Sequence, residues 1–253
     1  MIGVLVPAHN EAASMARCLQ SIRRAALHPG LGGEPVEVVV ALDACSDATA
    51  SICHQQRVGI VRLDARCVGI ARAAAAVELL GRGARWLAST DADSEVPGNW
   101  LVGQLEQPCD AFCGLVDIAA RCPSEHRLRR VFQGRQQWGE GHGRIHGANL
   151  GVSAHFYRAV GGFPALRCGE DVQMVRALQA CGADVRWAGA PVVFTSARLE
   201  GRAAGGFSAY LAEIGAAGAC RADRAGHCVN TGHFAAPQHA VAPSGVSDPG
   251  RIP

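Results

Sequence analysis

Short apolar runs, each followed by a stretch with helical spacing, organise the first ninety residues of the chain. Ile2 to Val6 is apolar without alternation, as expected of a parallel strand buried on both faces. Pro7 ends it, and Asn10-Glu11 opens a segment reaching Ala25 with apolar or small residues at helical steps. Glycines and prolines mark His28 to Pro35 as a loop. Val36 to Leu42 is the clearest second strand, followed by a polar turn at Asp43 to Asp47 and a short helix at Ala48 to Gln56. Gly59 to Leu63 reads as a third strand, Ile70 to Leu80 as an alanine-rich helix, and Trp86 to Ser89 as a fourth strand closing on Thr90-Asp91-Ala92-Asp93.

This alternation argues for an α/β sandwich around a mixed, mainly parallel sheet. In such sheets ligands sit outside the carboxyl ends of the strands. The polar clusters Pro7 to Glu11, Asp43 to Asp47 and Asp91 to Asp93 each follow a strand, so all three are expected on one edge. Beyond them the pattern is less regular. Asn99 to Glu106 looks helical, Ala111 to Ile118 strand-like, and Arg127 to Trp138 a basic helix. Ile145 to Ser153 is punctuated by glycine, and a helical turn to Val160 precedes Gly161-Gly162-Phe163-Pro164. Glu170 to Cys181 carries Val172, Val175, Leu178 and Cys181 at three- and four-residue steps and ends at Gly182, as an amphipathic helix does. Val185 to Trp187 and Val192 to Phe194 read as a final pair of short strands. The expected organisation is a domain over residues 1–205, made of two halves that meet at residues 95 and 96, then a helix over 206–226 and a mobile tail over 227–253.

Composition narrows the class. Of 253 residues, 49% are hydrophobic and 18% charged, which excludes collagen, coiled coil and global disorder. The formal charge of +2 is too near balance for a polyanion binder. Arg127, Arg129 and Arg130 form a basic patch without interleaved aromatics, which fits a solvated face or contact with anionic lipid better than nucleic acid. The basic set is arginine without lysine, so any phosphate contact must come from arginine, backbone or metal. Eleven cysteines without a C-x-x-C pair read as small buried hydrophobes in a reducing cytosol. No run reaches about 18 uncharged apolar residues, so a membrane span is not expected, though peripheral contact is compatible. The start, MIGVLVPAHNEA, lacks the basic region of a signal peptide.

Asp91-Ala92-Asp93 is the sharpest candidate site. Two carboxylates in the turn after a strand can share a hard divalent ion such as magnesium or manganese, with positions left for a phosphate-bearing substrate. Solvated turn acids are the bland alternative. Here the chain resembles the family 2 glycosyltransferases of the GT-A fold group, which use nucleotide-sugar donors. The resemblance rests on VLVPAHNEA, ALDACSDAT, STDADSEVPGNWL, HGANLGVSAHFYRAVGGFP and GEDVQMVRALQACGADV, five motifs in order over about residues 2 to 200.

The resemblance implies a GT-A type Rossmann-like αβα sandwich and a role for each cluster. Pro7, His9 and Glu11 would line the base and ribose pocket, and Asp43 would accept from a nucleobase N–H, since a carboxylate is acceptor-only. Arg72 would face the base or diphosphate, with a solvated helix arginine as its alternative. Asp91 would touch ribose or metal, Ala92 lies between, and Asp93 would hold the magnesium or manganese that bridges the diphosphate. Asp171 would take the proton of the acceptor hydroxyl in an inverting displacement. The macrodipole also favours acids at that helix start, and Glu170 is the better pure cap or acceptor ligand. Gly147, Ala148 and Asn149 would floor the acceptor site.

Two departures stand out. Leu42 replaces the first acid of the usual strand-two pair, and Thr195 stands where many relatives place a metal-binding histidine. His227 or His233 could substitute, and Arg198 and Arg202 could instead hold the diphosphate as fixed charge. The i, i+4 pair His142 and His146 lacks the acid of a zincin motif. Trp86, Trp100, Trp138 and Trp187 read as core before sugar platform, and Trp138, in a polar stretch, is the one to test as a platform. The expected function is cytosolic, metal-assisted transfer of a sugar from a nucleotide-diphosphate donor to an unidentified hydroxyl acceptor. The alternatives are a catalytically degenerate nucleotide-sugar-binding subunit and a sugar nucleotidyltransferase. The latter should carry a lysine-bearing phosphate loop, which PAHNE lacks.

Overall fold

The computed structural model describes residues 1–201 and 206–222. Arg202, His227, His233 and the expected tail lie outside them. Strand β1 (Ile2–Ala8) sends Ile2, Val4, Val6 and Ala8 into one buried cluster and Leu5 into another. This is why its sequence is apolar at successive positions. Pro7 lies inside the strand, not beyond it.

Helix α1 (Ala12–Ala26), β2 (Val36–Asp43), α2 (Thr49–Gln55), β3 (Gly59–Leu63), α3 (Val68–Gly81) and β4 (Trp86–Ser89) follow in the expected alternation. They continue into α4 (Trp100–Leu105), β5 (Ala111–Ile118), α5 (Pro123–Gln133), β6 (Leu150–Ser153), α6 (Ala154–Ala159), α7 (Glu170–Ala180), β7 (Val185–Thr195) and α8 (Phe207–Ala222).

The seven strands form one sheet in the order β3-β2-β1-β4-β6-β5-β7. Every neighbouring pair is parallel except those made by β6, which runs against both β4 and β5. One face is covered by α1, α4, α5 and α8, which bring Met15, Ile22, Trp100, Phe132 and Leu211 onto it. On the other, α3 contributes Ala71, Ala75 and Leu79, and α7 contributes Met174, Val175 and Leu178. The alanines of α3 let it lie close to β1 and β2; a Cβ on Gly3 would sit only 3.0 Å from that of Leu79.

Two elements differ from the sequence reading. The basic helix spans Pro123–Gln133 and not Arg127 to Trp138. Proline suits the first turn, the Glu125 carboxylate accepts from the N–H groups of Arg121 and Cys122, and Gly134 ends the helix. The expected pair of final strands is one strand, β7, with an irregularity. Between Gly114 and Val116 of β5, the partner strand advances from Ala188 to Val193, so Pro191 sits in a loop-out that demands no ladder hydrogen bond of it.

Candidate active site

The carboxyl ends of β1, β2 and β4 open into a cleft of about 890 Å³, which the three polar clusters line together. The first two loops are pinned to each other. Asn10 adopts a left-handed φ of 54°, and its Oδ1 accepts from the N–H groups of Ser46 at 2.7 Å and Asp47 at 3.2 Å. The Asp47 carboxylate accepts from Ala12 N–H at 3.0 Å, and Glu11 N–H donates to Thr49 Oγ1 at 2.8 Å. Asparagine tolerates that φ better than most residues, which suits it to this position. His9 Nδ1 donates to the Asp43 carbonyl at 2.6 Å. The Asp43 carboxylate, buried at the end of β2, accepts from Ala65, Arg66 and Cys67 N–H at 2.7–2.8 Å. It therefore shapes the turn before α3 and keeps little acceptor capacity for a base.

Arg72 departs from the solvated alternative: it is 3% exposed and forms the hub of the site. Its Nη2 donates to Asp91 Oδ1 at 2.6 Å, Nε to Glu170 Oε1 at 2.9 Å, and Nη1 to the Gly147 carbonyl at 3.1 Å and to Ser89 Oγ. Burial disfavours its charge, but the carboxylates of Asp91 and Glu170 outweigh this and raise its pKa. Burial also pushes the Glu170 carboxyl up, with Arg72 opposing it. Glu170 is thus committed to Arg72. A Cβ on Gly147 would fall 2.4 Å from Arg72 Nη2, so that glycine is required by the close approach.

On the opposite wall, Arg198 Nη1 donates to Glu11 Oε1 at 2.7 Å and Nη2 meets Asp93 Oδ2 at 3.0 Å. Burial raises the Asp93 carboxyl to about 6, the charge of Asp91 adds to this, and Arg198 opposes it. The Thr195 hydroxyl is 3.5 Å from Asp93 Oδ1. At the first turn of α7, Asp171 Oδ2 accepts from Gly147 N–H at 2.7 Å and Oδ1 from Val172 N–H at 2.8 Å. These two bonds aim the carboxylate at the cleft, which it lines.

The model of glycosyl transferase family 2 matches residues 3–159. The chain belongs to glycosyl transferase family 2. Among solved structures, S. aureus TarS 1-349 in complex with UDP-GlcNAc superimposes with a TM-score of 0.60 at 14% identity, over 86% of this chain and 66% of that one. The mannosyltransferase PcManGT from Pyrobaculum calidifontis, in complex with GDP-Man and Mn2+, gives 0.54 at 17% identity, over 90% and 76%. These likenesses confirm the expected GT-A sandwich. The chain spans under two thirds of the TarS 1-349 structure solved without a named ligand, 64% of it. A search of curated proteins by sequence finds no match.

Within this family 2 chain, Pro7, His9, Glu11, Asp43, Arg72, Asp91, Ala92, Asp93, Gly147, Ala148, Glu170, Asp171 and Arg198 all line one cleft. Asn149 does not. Its amide is fully buried, donating to the carbonyls of Leu115 and Pro191 at 2.8 Å and accepting from Trp100 Nε1 at 3.0 Å, so it ties β5 to β7 instead of flooring the acceptor site. Trp138 is 40% exposed and off the cleft. Arg129 leaves the expected basic patch to pair with buried Asp117 at 2.5 Å.

Sequence reasoning missed His146, Phe207 and Tyr210, which line the cleft wall. The His146 and Phe207 rings meet edge-on at 6.5 Å. Phe207 and Tyr210 stand three apart on α8, a spacing legible in the sequence but shared with ordinary core positions.

The donor set fits a divalent cation poorly. No group of three or more His, Cys, Asp or Glu side chains among the described residues could hold one. Asp91 is engaged by Arg72 and Asp93 by Arg198. Thr195, at the expected histidine position, offers a hydroxyl 3.5 Å from Asp93.

Proposed function

We propose that this family 2 chain transfers a hexosyl group from a nucleoside-diphosphate sugar to a hydroxyl acceptor, with inversion at the anomeric carbon. The observation that supports it most is that the strand-end clusters and Asp171 line a single cleft. The donor would lie over Pro7, His9 and Glu11, with its diphosphate toward Asp91, Asp93 and Arg198. The acceptor would enter beside Gly147, Ala148, His146 and Tyr210.

Each Asp171 oxygen accepts one backbone N–H and keeps lone-pair capacity for a substrate hydroxyl. As the acceptor oxygen bonds to the anomeric carbon, its proton passes to Asp171. The bond from that carbon to the diphosphate oxygen breaks, and the diphosphate leaves with the electron pair. Attack opposite the leaving group inverts the centre. No step passes through magnesium or manganese, because the side chains that would hold either are paired with arginine. A reducing cytoplasm suits free cysteines such as Cys18, Cys53, Cys67 and Cys113, all buried. No helix of the described residues is long and apolar enough to cross a membrane.

Titration calorimetry with a panel of UDP-, GDP- and dTDP-sugars, followed by chromatography of the products, tests the reading. At least one donor should bind at a single site and be consumed, slowly by water or faster with an acceptor. Binding without consumption under any acceptor would instead support a non-catalytic nucleotide-sugar-binding subunit. A panel in which nothing binds would refute both readings.

A further inference from the structure

Three carboxylates, Glu11, Asp91 and Asp93, line the part of the cleft to which the diphosphate is assigned. A bound diphosphate would add to that negative charge, so a cation must face it, and Arg66, Arg72, Arg144, Arg167 and Arg198 line the cleft. Arg72 cannot move to supply it, being buried and bonded to Asp91, Glu170, Ser89 and Gly147.

Arg198 is placed differently. It enters from the segment after β7, reaches back to Glu11 at 2.7 Å and Asp93 at 3.0 Å, and keeps its side chain 32% exposed. Its Nε is buried without a hydrogen-bond partner among the described residues. A guanidinium carries five N–H donors in a rigid fork, so the two carboxylate contacts leave donors over for a phosphate oxygen.

A divalent ion on Asp93 would compete for the same oxygen. Magnesium sits about 2.1 Å from a carboxylate oxygen, and Asp93 Oδ2 already faces the guanidinium at 3.0 Å. Two positive groups cannot share that oxygen without strong repulsion in a half-buried site.

We infer that Arg198 is the resident cation of the donor site, holding the diphosphate in place of a divalent metal and making nucleoside-diphosphate binding independent of metal. This rests on the nucleotide-sugar reading of the cleft. A fixed guanidinium stabilises the departing diphosphate electrostatically, as a bound metal would, but is present before the donor arrives.

The test uses UDP, GDP and dTDP as probes, titrated calorimetrically in EDTA and in Mn2+, with Mn2+ retention by the protein alone followed by electron paramagnetic resonance. In the unmodified chain, the diphosphate that binds should show a Kd differing less than threefold between EDTA and Mn2+, and the protein should retain no Mn2+. Arg198→Ala should weaken that binding at least tenfold in EDTA. Freed of the guanidinium, Asp93 should then take up Mn2+, which should restore part of the lost affinity. Arg198→Lys, which keeps the charge but not the fork, should fall between the two. Binding by the unmodified chain that needs Mn2+ by more than tenfold, or an Arg198→Ala variant unchanged in EDTA, would overturn this inference while leaving the nucleotide-sugar reading standing. No binding of any diphosphate in either medium would overturn both.

Discussion

Replacing Arg72 by methionine removes the cation that holds Asp91, Glu170, Ser89 and the Gly147 carbonyl together, at similar side-chain length. The Arg72 side chain is 4% exposed and that of Glu170 5%, so both are buried. Truncating one partner of a buried pair leaves the other charge uncompensated, which costs about 3–5 kcal/mol. That range is roughly two to four orders of magnitude in the ratio of folded to unfolded chain. For a protein of this size each kcal/mol moves Tm by about 2–4 °C, so Tm should fall by roughly 6–20 °C.

Urea unfolding followed by tryptophan fluorescence and circular dichroism measures the loss, at an m-value unchanged from the parent. The pH dependence adds a second signature. Burial already raises the Glu170 carboxyl, and loss of Arg72 removes the group opposing that rise. A raised carboxyl pKa makes the folded state hold a proton that the unfolded state has given up. The variant should therefore regain stability relative to the parent as the pH falls through the raised pKa. Arg72→Met with Glu170→Leu should recover much of the loss. A single-variant cost below about 1 kcal/mol, or a double variant no better than the single, would refute the reading of Arg72 as the hub.

Three further outcomes follow from the same geometry. His146 Nε2 is buried and has no hydrogen-bond partner among the described residues, and burial holds the imidazole down at about 4. Since an unfolded histidine titrates near 6.5, the parent should lose stability as the pH falls from there toward 4, by at most about 1.4 kcal/mol per pH unit, and His146→Gln should flatten that slope in pH-dependent urea melts. Gly147→Ala places a Cβ 2.4 Å from Arg72 Nη2, and should destabilise the fold by about 1–3 kcal/mol in the same assay. Asn149→Leu strands Trp100 Nε1 and two carbonyls, and should cost about 2–4 kcal/mol while leaving the Kd for a donor within twofold, the outcome expected of a side chain that faces the core.

The central strands were the most legible part of the fold because β1, β4 and β5 are buried on both faces and so apolar at successive positions. The convergence of three polar clusters followed from parallel-sheet geometry alone. What periodicity could not show was pairing across the chain. Arg72 and Glu170 lie 98 residues apart and Arg198 and Glu11 187 apart, and a sequence pattern gives an arginine no address. Asn149 was assigned to the acceptor site by position within the resemblance, which does not say whether a side chain faces cleft or core; the carbonyls of Leu115 and Pro191 decide that. The early start of α5 was within reach, since Pro123 followed by Glu125 is a start signal. The arginine clustering of Arg127 to Arg130 drew the expected boundary past it.

The claim that binds these parts together is that Asp171 is the base of a transfer reaction in this cleft. Asp171→Asn keeps the shape and leaves an oxygen to accept from Gly147 or Val172 N–H. With the donor identified by titration, single-turnover consumption should fall at least a hundredfold in the variant while donor Kd stays within threefold. Consumption at the parent rate, with binding intact, would contradict the assignment of the chemistry to Asp171.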